Sequence, residues 1–276
     1  MRISRRLFAP IFSSTANADV IERYAVMRRE TVGAKFYAQA VLHRHGMEVP
    51  DFICLSAQAF ERAVQPIKPI LRELLAPLAM TQRARITVVA QQIRQLLLDL
   101  PLQPQLVRSL NDAVARRLRD TERYSVRACM VGTRAELGED SLTNPFAGIS
   151  DSFLYVSRDD IWTKIRACWA SAFSERAILY RLSQGMDPAE VAVAVGVQRM
   201  IFGERSWVLF TCDPNTAARD GVLVAGYGIG EGVVQEAVPV DHYFVNAKSG
   251  VIRHQLADKD SALSFDAEHG AGVCRR

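Results

Sequence analysis

Val191-Ala192-Val193-Ala194-Val195-Gly196-Val197-Gln198 is the stretch that decides the fold of this chain. Valines alternate with small residues, and this period of two predicts a strand with one bulky face and one small face. Gln198 lies on the small face. A flat ligand would fit against Ala194 and Gly196 with Gln198 at its edge, and the alternative is a strand-end glutamine in solvent.

Further strands are predicted on both sides of that stretch. They cover 48–55, 125–127, 152–156, 207–211, 222–226, 242–247 and 251–253, the last after a turn at 248–250. Helices are predicted at 32–45, 58–75, 81–98, from 105 onward, and from Asp159 or Asp160 to Gly185. The pattern predicts an α+β fold with a helix-rich lobe (1–123), a β-rich lobe (124–257) and a polar, poorly ordered tail (258–276).

Composition narrows the class of protein. The chain has 276 residues, a formal charge of +4 and 49% hydrophobic residues, which is typical of a globular protein. No apolar run reaches the ~18 residues of a membrane span, and the N-terminus lacks a signal-peptide core, so we expect a cytoplasmic protein without a membrane partner. The five cysteines show no CxxC spacing, which argues against a disulfide framework or a zinc site. An arginine-rich stretch between 116 and 123 has few aromatic neighbours, so a solvated helix face is favoured over nucleic-acid binding.

Two cationic side chains are candidates for anion binding. Arg127 follows two predicted strand residues, and its guanidinium can bind two phosphate oxygens at once; the alternative is a structural salt bridge. Lys35 lies two residues after Gly33 at a helix start, where the helix N-terminus favours an anion. The alternative for Lys35 is an ordinary solvated lysine.

An ordered series of short motifs extends from Ser125 to Tyr243. The series is Ser125-Val126-Arg127, Phe146-Ala147-Gly148, Cys168-Trp169-Ala170-Ser171-Ala172-Phe173-Ser174-Glu175-Arg176-Ala177, Phe210-Thr211-Cys212-Asp213-Pro214, Gly228-Ile229-Gly230-Glu231 and Asp241-His242-Tyr243. Together with Val32-Gly33-Ala34-Lys35 and Gly46-Met47-Glu48-Val49-Pro50, this series resembles the nucleotide-binding domain of phosphoenolpyruvate synthase, pyruvate phosphate dikinase and rifampicin phosphotransferase. The resemblance covers roughly residues 28–255.

The resemblance implies an ATP-grasp fold, in which two lobes hold ATP, and it assigns roles to matching residues. Lys35 and Arg127 match the family's phosphate-binding lysine and arginine, which makes them the catalytic candidates. Gly148 matches the loop that covers the phosphates, Ser152 a nearby hydroxyl, and Gln198 a glutamine of the nucleotide pocket. The cofactors implied are ATP and Mg²⁺.

The chain also departs from the family pattern. Arg127 is followed by Ala128-Cys129-Met130-Val131, where the family has serine-serine-alanine-threonine, so the hydroxyls of that segment are lost. Ala34 replaces the second glycine of the early turn. Nothing between 250 and 276 matches the acidic strand that holds magnesium in the family, so the metal ligands are not identified.

Two classes of function follow from this pattern. One is the ATP-binding domain of a phosphotransferase that cleaves ATP to AMP and phosphate through a phosphohistidine on a second polypeptide. The other is a truncated or degenerate module that binds nucleotide or a partner without catalysis. Retained Lys35, Arg127, Gly148 and Gln198 favour the first class, and the lost hydroxyls favour the second.

Overall fold

A computed structural model describes residues 18–119, 122–131, 150–213, 220–246, 248–270 and 272–276. The described helices are α1 (Arg29–Arg44), α2 (Ala57–Val64), α3 (Lys68–Leu75), α4 (Arg83–Leu98), α5 (Pro104–Arg117), α6 (Ile161–Ser171), α7 (Glu175–Ser183) and α8 (Gly230–Val234). None of these helices has both the length and the hydropathy that crossing a bilayer requires.

The described strands alternate with the helices and then dominate the last third of the chain. They are β1 (Val20–Ile21), β2 (Phe52–Leu55), β3 (Tyr124–Met130), β4 (Ser152–Val156), β5 (Val193–Arg199), β6 (Arg205–Phe210), β7 (Gly221–Tyr227), β8 (Val240–Val245), β9 (Ile252–Gln255), β10 (Leu263–Phe265) and β11 (Val273–Arg275). The mixture of helix and sheet confirms the predicted α+β class.

A five-stranded sheet has the strand order β1-β2-β5-β3-β4. The predicted valine-rich strand β5 therefore lies at its centre, antiparallel to β2, with Phe52 opposite Gln198 and Cys54 opposite Gly196. Every residue of β5 before Arg199 is buried. Both faces of β5 are therefore covered by protein, which explains why the strand has no charged residue before Arg199.

Helix α1 contains an irregular residue, Gly33, at a point where the helix lies close to this sheet. Gly33 has φ 76° and ψ 167° inside the helix, so the chain kinks there. A β-carbon at Gly33 would lie 2.3 Å from the Cys129 sulfur of β3. The helix ends as predicted before Gly46, whose φ is +79°.

Two helices predicted as continuous are broken in the structure. The 58–75 helix divides into α2 and α3 around a 3₁₀ turn that contains Pro66, because proline removes a backbone donor. The predicted helix ending at Gly185 divides into α6 and α7, since Ser174 accepts a hydrogen bond from the Ala177 N–H and caps a new helix.

A four-stranded antiparallel sheet of order β6-β7-β8-β9 makes up much of the C-terminal third. Its predicted strands are confirmed with boundaries shifted by one or two residues. Helix α8 packs on one face, where Val233 approaches within 3.1 Å of the position that a side chain at Gly226 would occupy.

The tail predicted to be poorly ordered instead forms the antiparallel hairpin β10–β11. The Ile229 N–H donates to the Leu263 carbonyl at 2.9 Å. The Phe265 ring lies 4.8 Å from Tyr155 and 5.6 Å from Phe202, measured between centroids. The prediction was wrong because the contacts of Leu263 and Phe265 anchor this mostly polar segment.

Asp241 of β8 ties the start of this tail to the four-stranded sheet. Its carboxylate accepts hydrogen bonds from the Lys259 ammonium, the Ala257 N–H and the Tyr243 hydroxyl. The hydrogen bond from Lys259 is the main cause that lowers the pKa of Asp241 below its ordinary value, followed by the N–H of Ala257.

We expect this site to lose its contribution to stability in acid. A carboxyl whose pKa is lower in the folded state stabilises the fold above its unfolded pKa of about 3.9, and this stabilisation disappears as pH falls through the folded value. Urea unfolding at pH 7 should therefore show Asp241→Asn less stable than the parent, and the difference should shrink toward pH 3. A difference that stays constant between those pH values would contradict this assignment.

Contacts divide the chain into two compact units. The first holds the described residues of Met1–Asp120, Val126–Ser152 and Trp162–Gln198, and the second those of Thr121–Ser125, Phe153–Ile161 and Arg199–Arg276. The described candidate site residues all belong to the first unit. The lobe boundaries predicted at 123/124 and 257/258 stay a prediction.

Candidate functional site

Arg127 lies in the middle of β3 and is half-buried, whereas the other residues of that strand are buried. Its guanidinium carbon lies 5.7 Å from the centroid of the Phe36 ring on α1, a cation–π contact. Its Nη2 donates a hydrogen bond to Gln198 Oε1 at 2.6 Å. The guanidinium is thus held between a helix and a neighbouring strand.

Lys35 extends from α1 to the strand that carries Arg127. Its Nζ donates to the carbonyl oxygen of Ala128 at 3.0 Å. The structure therefore attaches the lysine side chain to the residue next to Arg127, although 92 positions separate the two cations in sequence. The Lys35 ammonium therefore lies beside the backbone of β3, at the residue that follows Arg127.

Gln198 is buried, with 5% of its surface exposed, so it is not a strand-end glutamine in solvent. Its Nε2 donates to Gln39 Oε1 at 2.8 Å and to the Pro50 carbonyl at 2.9 Å. With the bond from Arg127, the Gln198 amide connects α1, β3 and the segment before β2. Lys35, Arg127 and Gln198 are thereby brought together.

The predicted flat-ligand surface on β5 is not available. The Phe36 ring fills the space beside Gly196, where a β-carbon would lie 2.1 Å from a ring carbon. Ala194 is fully buried and packs in a cluster with Ala57 and Val131. A nucleotide base cannot lie against Ala194 and Gly196, because protein side chains already cover both positions.

The remaining predicted residues are placed less centrally. Ser152 is the exposed first residue of β4, and the neighbouring Asp151 carbonyl accepts from the Ala128 N–H at 3.1 Å. Ser152 therefore follows Asp151, the residue that pairs with Ala128, whose carbonyl Lys35 contacts. Gly148, with the rest of Phe146-Ala147-Gly148, lies outside the described residues.

Phe36 and Gln39 are site residues that sequence reasoning missed. Both contact the predicted residues, Phe36 through the Arg127 guanidinium and Gln39 through the Gln198 amide. They are three positions apart on α1, a spacing that places side chains on one helix face. That spacing, one and four residues after Lys35, was the signal available in the sequence.

The two cations each influence the pKa of a buried thiol. Burial raises the pKa of Cys54, and the nearby Arg127 opposes that rise. Burial likewise raises the pKa of Cys168, and the charge of Lys35 opposes it. These thiols stay protonated at neutral pH, so they act as packing groups and not as nucleophiles.

The donor set of this site suits a polyanion. A lysine ammonium and an arginine guanidinium are donors without acceptors, and both are natural phosphate ligands. For Mg²⁺ the fit is absent in the described residues, since no three of their histidine, cysteine, aspartate or glutamate side chains are grouped to hold a metal.

Comparison with known proteins gives consistent matches. The family described as "Pyruvate phosphate dikinase, AMP/ATP-binding domain" matches residues 29–275. Rifampicin phosphotransferase of Bacillus cereus is 31% identical over 230 residues, which cover 82% of this chain and 26% of the relative. Rifampicin phosphotransferase of a Streptomyces species is 33% identical over 232 residues, covering 83% of this chain and 26% of the relative. Phosphoenolpyruvate synthase of Escherichia coli is 29% identical over 242 residues, covering 83% of this chain and 30% of the relative. This chain thus spans about a quarter to a third of the length of these curated relatives.

Proposed function

Because this chain belongs to the pyruvate phosphate dikinase AMP/ATP-binding domain family, we propose that it binds ATP as part of a phosphotransferase. The proposed activity resembles that of phosphoenolpyruvate synthase and rifampicin phosphotransferase, the enzymes it is similar to. The fold we propose for the complete site is ATP-grasp, with the lobes 1–123 and 124–257 on either side of the nucleotide.

The observation that carries this proposal is the contact between the Lys35 side chain of α1 and β3, the strand that contains Arg127. The bond from Lys35 Nζ to the Ala128 carbonyl brings the ammonium to the residue after Arg127. Two positive side chains on neighbouring parts of one unit attract a triphosphate, and charge-assisted hydrogen bonds to phosphate are stronger than neutral ones. The resemblance and this geometry both support the proposal that Lys35 and Arg127 bind the phosphates.

In the proposed site each residue has one task. Lys35 and Arg127 bind and orient phosphate oxygens, Gly148 matches the family's phosphate-covering motif, and Ser152 offers a nearby hydroxyl. ATP, when bound, would supply the phosphoryl group, and the resemblance implies that Mg²⁺ accompanies it. A histidine on a second polypeptide or domain would accept the phosphoryl group, become phosphohistidine, and pass the group to the final acceptor.

Calorimetry with ATP and Mg²⁺ tests the site. We expect micromolar binding by the parent chain and a rise in Kd of roughly 10–100-fold for Arg127→Ala, because hydrogen bonds to charged groups contribute about 1.5–3 kcal/mol. Lys35→Ala should weaken binding in the same direction.

Arg85→Ala is the matched control, since Arg85 is an exposed arginine of α4 remote in sequence from the candidate residues. It should bind ATP as the parent does. No heat with the parent chain, or equal Kd values for Arg127→Ala and Arg85→Ala, would remove the basis of the proposal.

A second candidate function is nucleotide binding without catalysis. Its specific support is the burial of Ala128 and Cys129, both fully covered, with the Cys129 sulfur packed beside Gly33. These positions have no hydroxyl to offer to a phosphate, and the packing leaves them no access to one. AMP formation from ATP when the chain is combined with a phosphohistidine domain would decide for catalysis.

A further inference from the structure

The side-chain amide of Gln198 has an orientation that its neighbours dictate. The Pro50 carbonyl can only accept, so the amide nitrogen must face it, at 2.9 Å. The guanidinium of Arg127 can only donate, so the amide oxygen must face it, at 2.6 Å. The flip ambiguity of a glutamine amide is therefore resolved by chemistry on both sides.

Both hydrogens of this amide are used inside the protein. One goes to the Pro50 carbonyl and the other to Gln39 Oε1, at 2.8 Å. Gln198 is also buried, with 5% of its surface exposed. The amide has no hydrogen left to donate to a purine edge, and a base could be read by it only after two internal bonds were broken.

We propose that Gln198 is a positioning residue for the Arg127 guanidinium and that Gln39 fixes Gln198 in this role. The assignment rests on the proposed function, because it takes Arg127 as a phosphate ligand. In this arrangement Gln198 governs how the phosphates are held, and the base is recognised by other groups.

Helix α1 supplies the rest of this support. It carries Lys35, which reaches the Ala128 carbonyl, Phe36, whose ring lies 5.7 Å from the Arg127 guanidinium carbon, and Gln39. Helix α1 therefore carries Lys35 itself. It contacts Arg127 through the Phe36 ring, and through Gln39, which holds the Gln198 amide. A guanidinium held on two sides loses less conformational freedom when it binds a phosphate.

The test is Gln39→Met, which keeps the length of the side chain and removes the acceptor. Calorimetry in Mg²⁺ compares ATP, GTP and adenosine as ligands. We expect the Kd values for ATP and GTP to rise together by about 5–20-fold, the range expected when a buried hydrogen-bonding group loses its partner. The Kd for adenosine, which has no phosphate, should not change.

Three further variants separate positioning from general damage. Gln39→Glu keeps an acceptor and should retain most of the ATP affinity. Gln95→Met makes the same chemical change on exposed α4, where Gln95 bonds only Asp99 among the described residues, and should bind ATP as the parent does. In the background of Arg127→Ala, adding Gln39→Met should cause no further loss, because the group being positioned is gone.

The possible results distinguish this inference from the function it rests on. If Arg127→Ala leaves ATP binding intact, the proposed function fails and this inference fails with it. If Arg127→Ala weakens ATP but Gln39→Met does not, only the positioning role is overturned. A changed ratio of ATP to GTP affinity in Gln39→Met would assign the amide to base reading instead, and so would a parallel loss for adenosine. A crystal structure of Gln39→Met with the guanidinium in its original place would equally overturn the inference.

Discussion

Replacing Gly33 by alanine should lower the free energy of unfolding by roughly 3–5 kcal/mol, the largest effect we expect from a single methyl group in this chain. Two independent costs combine at this position. The backbone has φ 76° and ψ 167°, a region that is almost exclusive to glycine and costs other residues about 1–3 kcal/mol. The new β-carbon would also lie 2.3 Å from the Cys129 sulfur, a buried atom on the central sheet, and such overpacking costs about 1–3 kcal/mol.

Gly46→Ala is the matched control for the backbone cost. Gly46 has a similar φ of +79°, but no atom lies within 4 Å of the β-carbon it would gain. We expect a loss of about 1 kcal/mol there, from the left-handed backbone alone. Urea unfolding of both variants measures the difference, and equal losses would show that the Cys129 contact is unimportant.

The same substitution should reach the candidate site. Gly33 begins the helix segment that carries Lys35, and its close approach to Cys129 sets how near α1 lies to β3. Displacing the helix would move Lys35 Nζ from the Ala128 carbonyl, where it is held at 3.0 Å. ATP affinity of the folded fraction should therefore fall in Gly33→Ala and stay at the parent value in Gly46→Ala.

The central elements of the fold were predictable because their signals are local. The alternation in 191–198 identified the central strand β5, and the helix predicted at 32–45 is α1, which begins three residues earlier, at Arg29, and has Gly33 as an internal kink. Lys35 and Arg127 are anion-binding candidates from their local positions, the family resemblance gives them phosphate-binding roles, and in the structure Lys35 Nζ donates to the carbonyl of the residue after Arg127. Their role in binding ATP remains a proposal.

What the sequence did not reveal depends on contacts between distant residues. The small face of β5 suggested a surface for a flat ligand, but a small residue in a sequence equally marks a place where another side chain fits. At Gly196 that side chain is Phe36, 160 positions earlier. The tail was misread for the same reason, since the contacts of Phe265 with Tyr155 and Phe202 are visible only after folding.

Gly196→Ala is the second substitution with a large expected effect, and it isolates packing from backbone strain. Gly196 has a backbone that any residue can adopt, so alanine meets no conformational cost. Its β-carbon would lie 2.1 and 2.2 Å from two ring carbons of Phe36, which is fully buried. We expect a loss of about 2–4 kcal/mol in unfolding free energy, together with weaker ATP binding, because Arg127 rests on the displaced ring.

A double-mutant cycle with Phe36→Leu tests whether this ring is the cause. Phe36→Leu alone should cost about 1–2 kcal/mol, and in its presence Gly196→Ala should cost less than about 0.5 kcal/mol, since the shorter side chain leaves room for the methyl group. Gly221→Ala is the control, because this strand glycine has no atom nearer than 3.6 Å to the added carbon and alanine should be neutral or slightly stabilising there. Additive losses in the cycle would mean that Phe36 does not fill the space beside Gly196. The space beside Gly196 would then be open to another group, and Phe36 would no longer account for the position of Arg127.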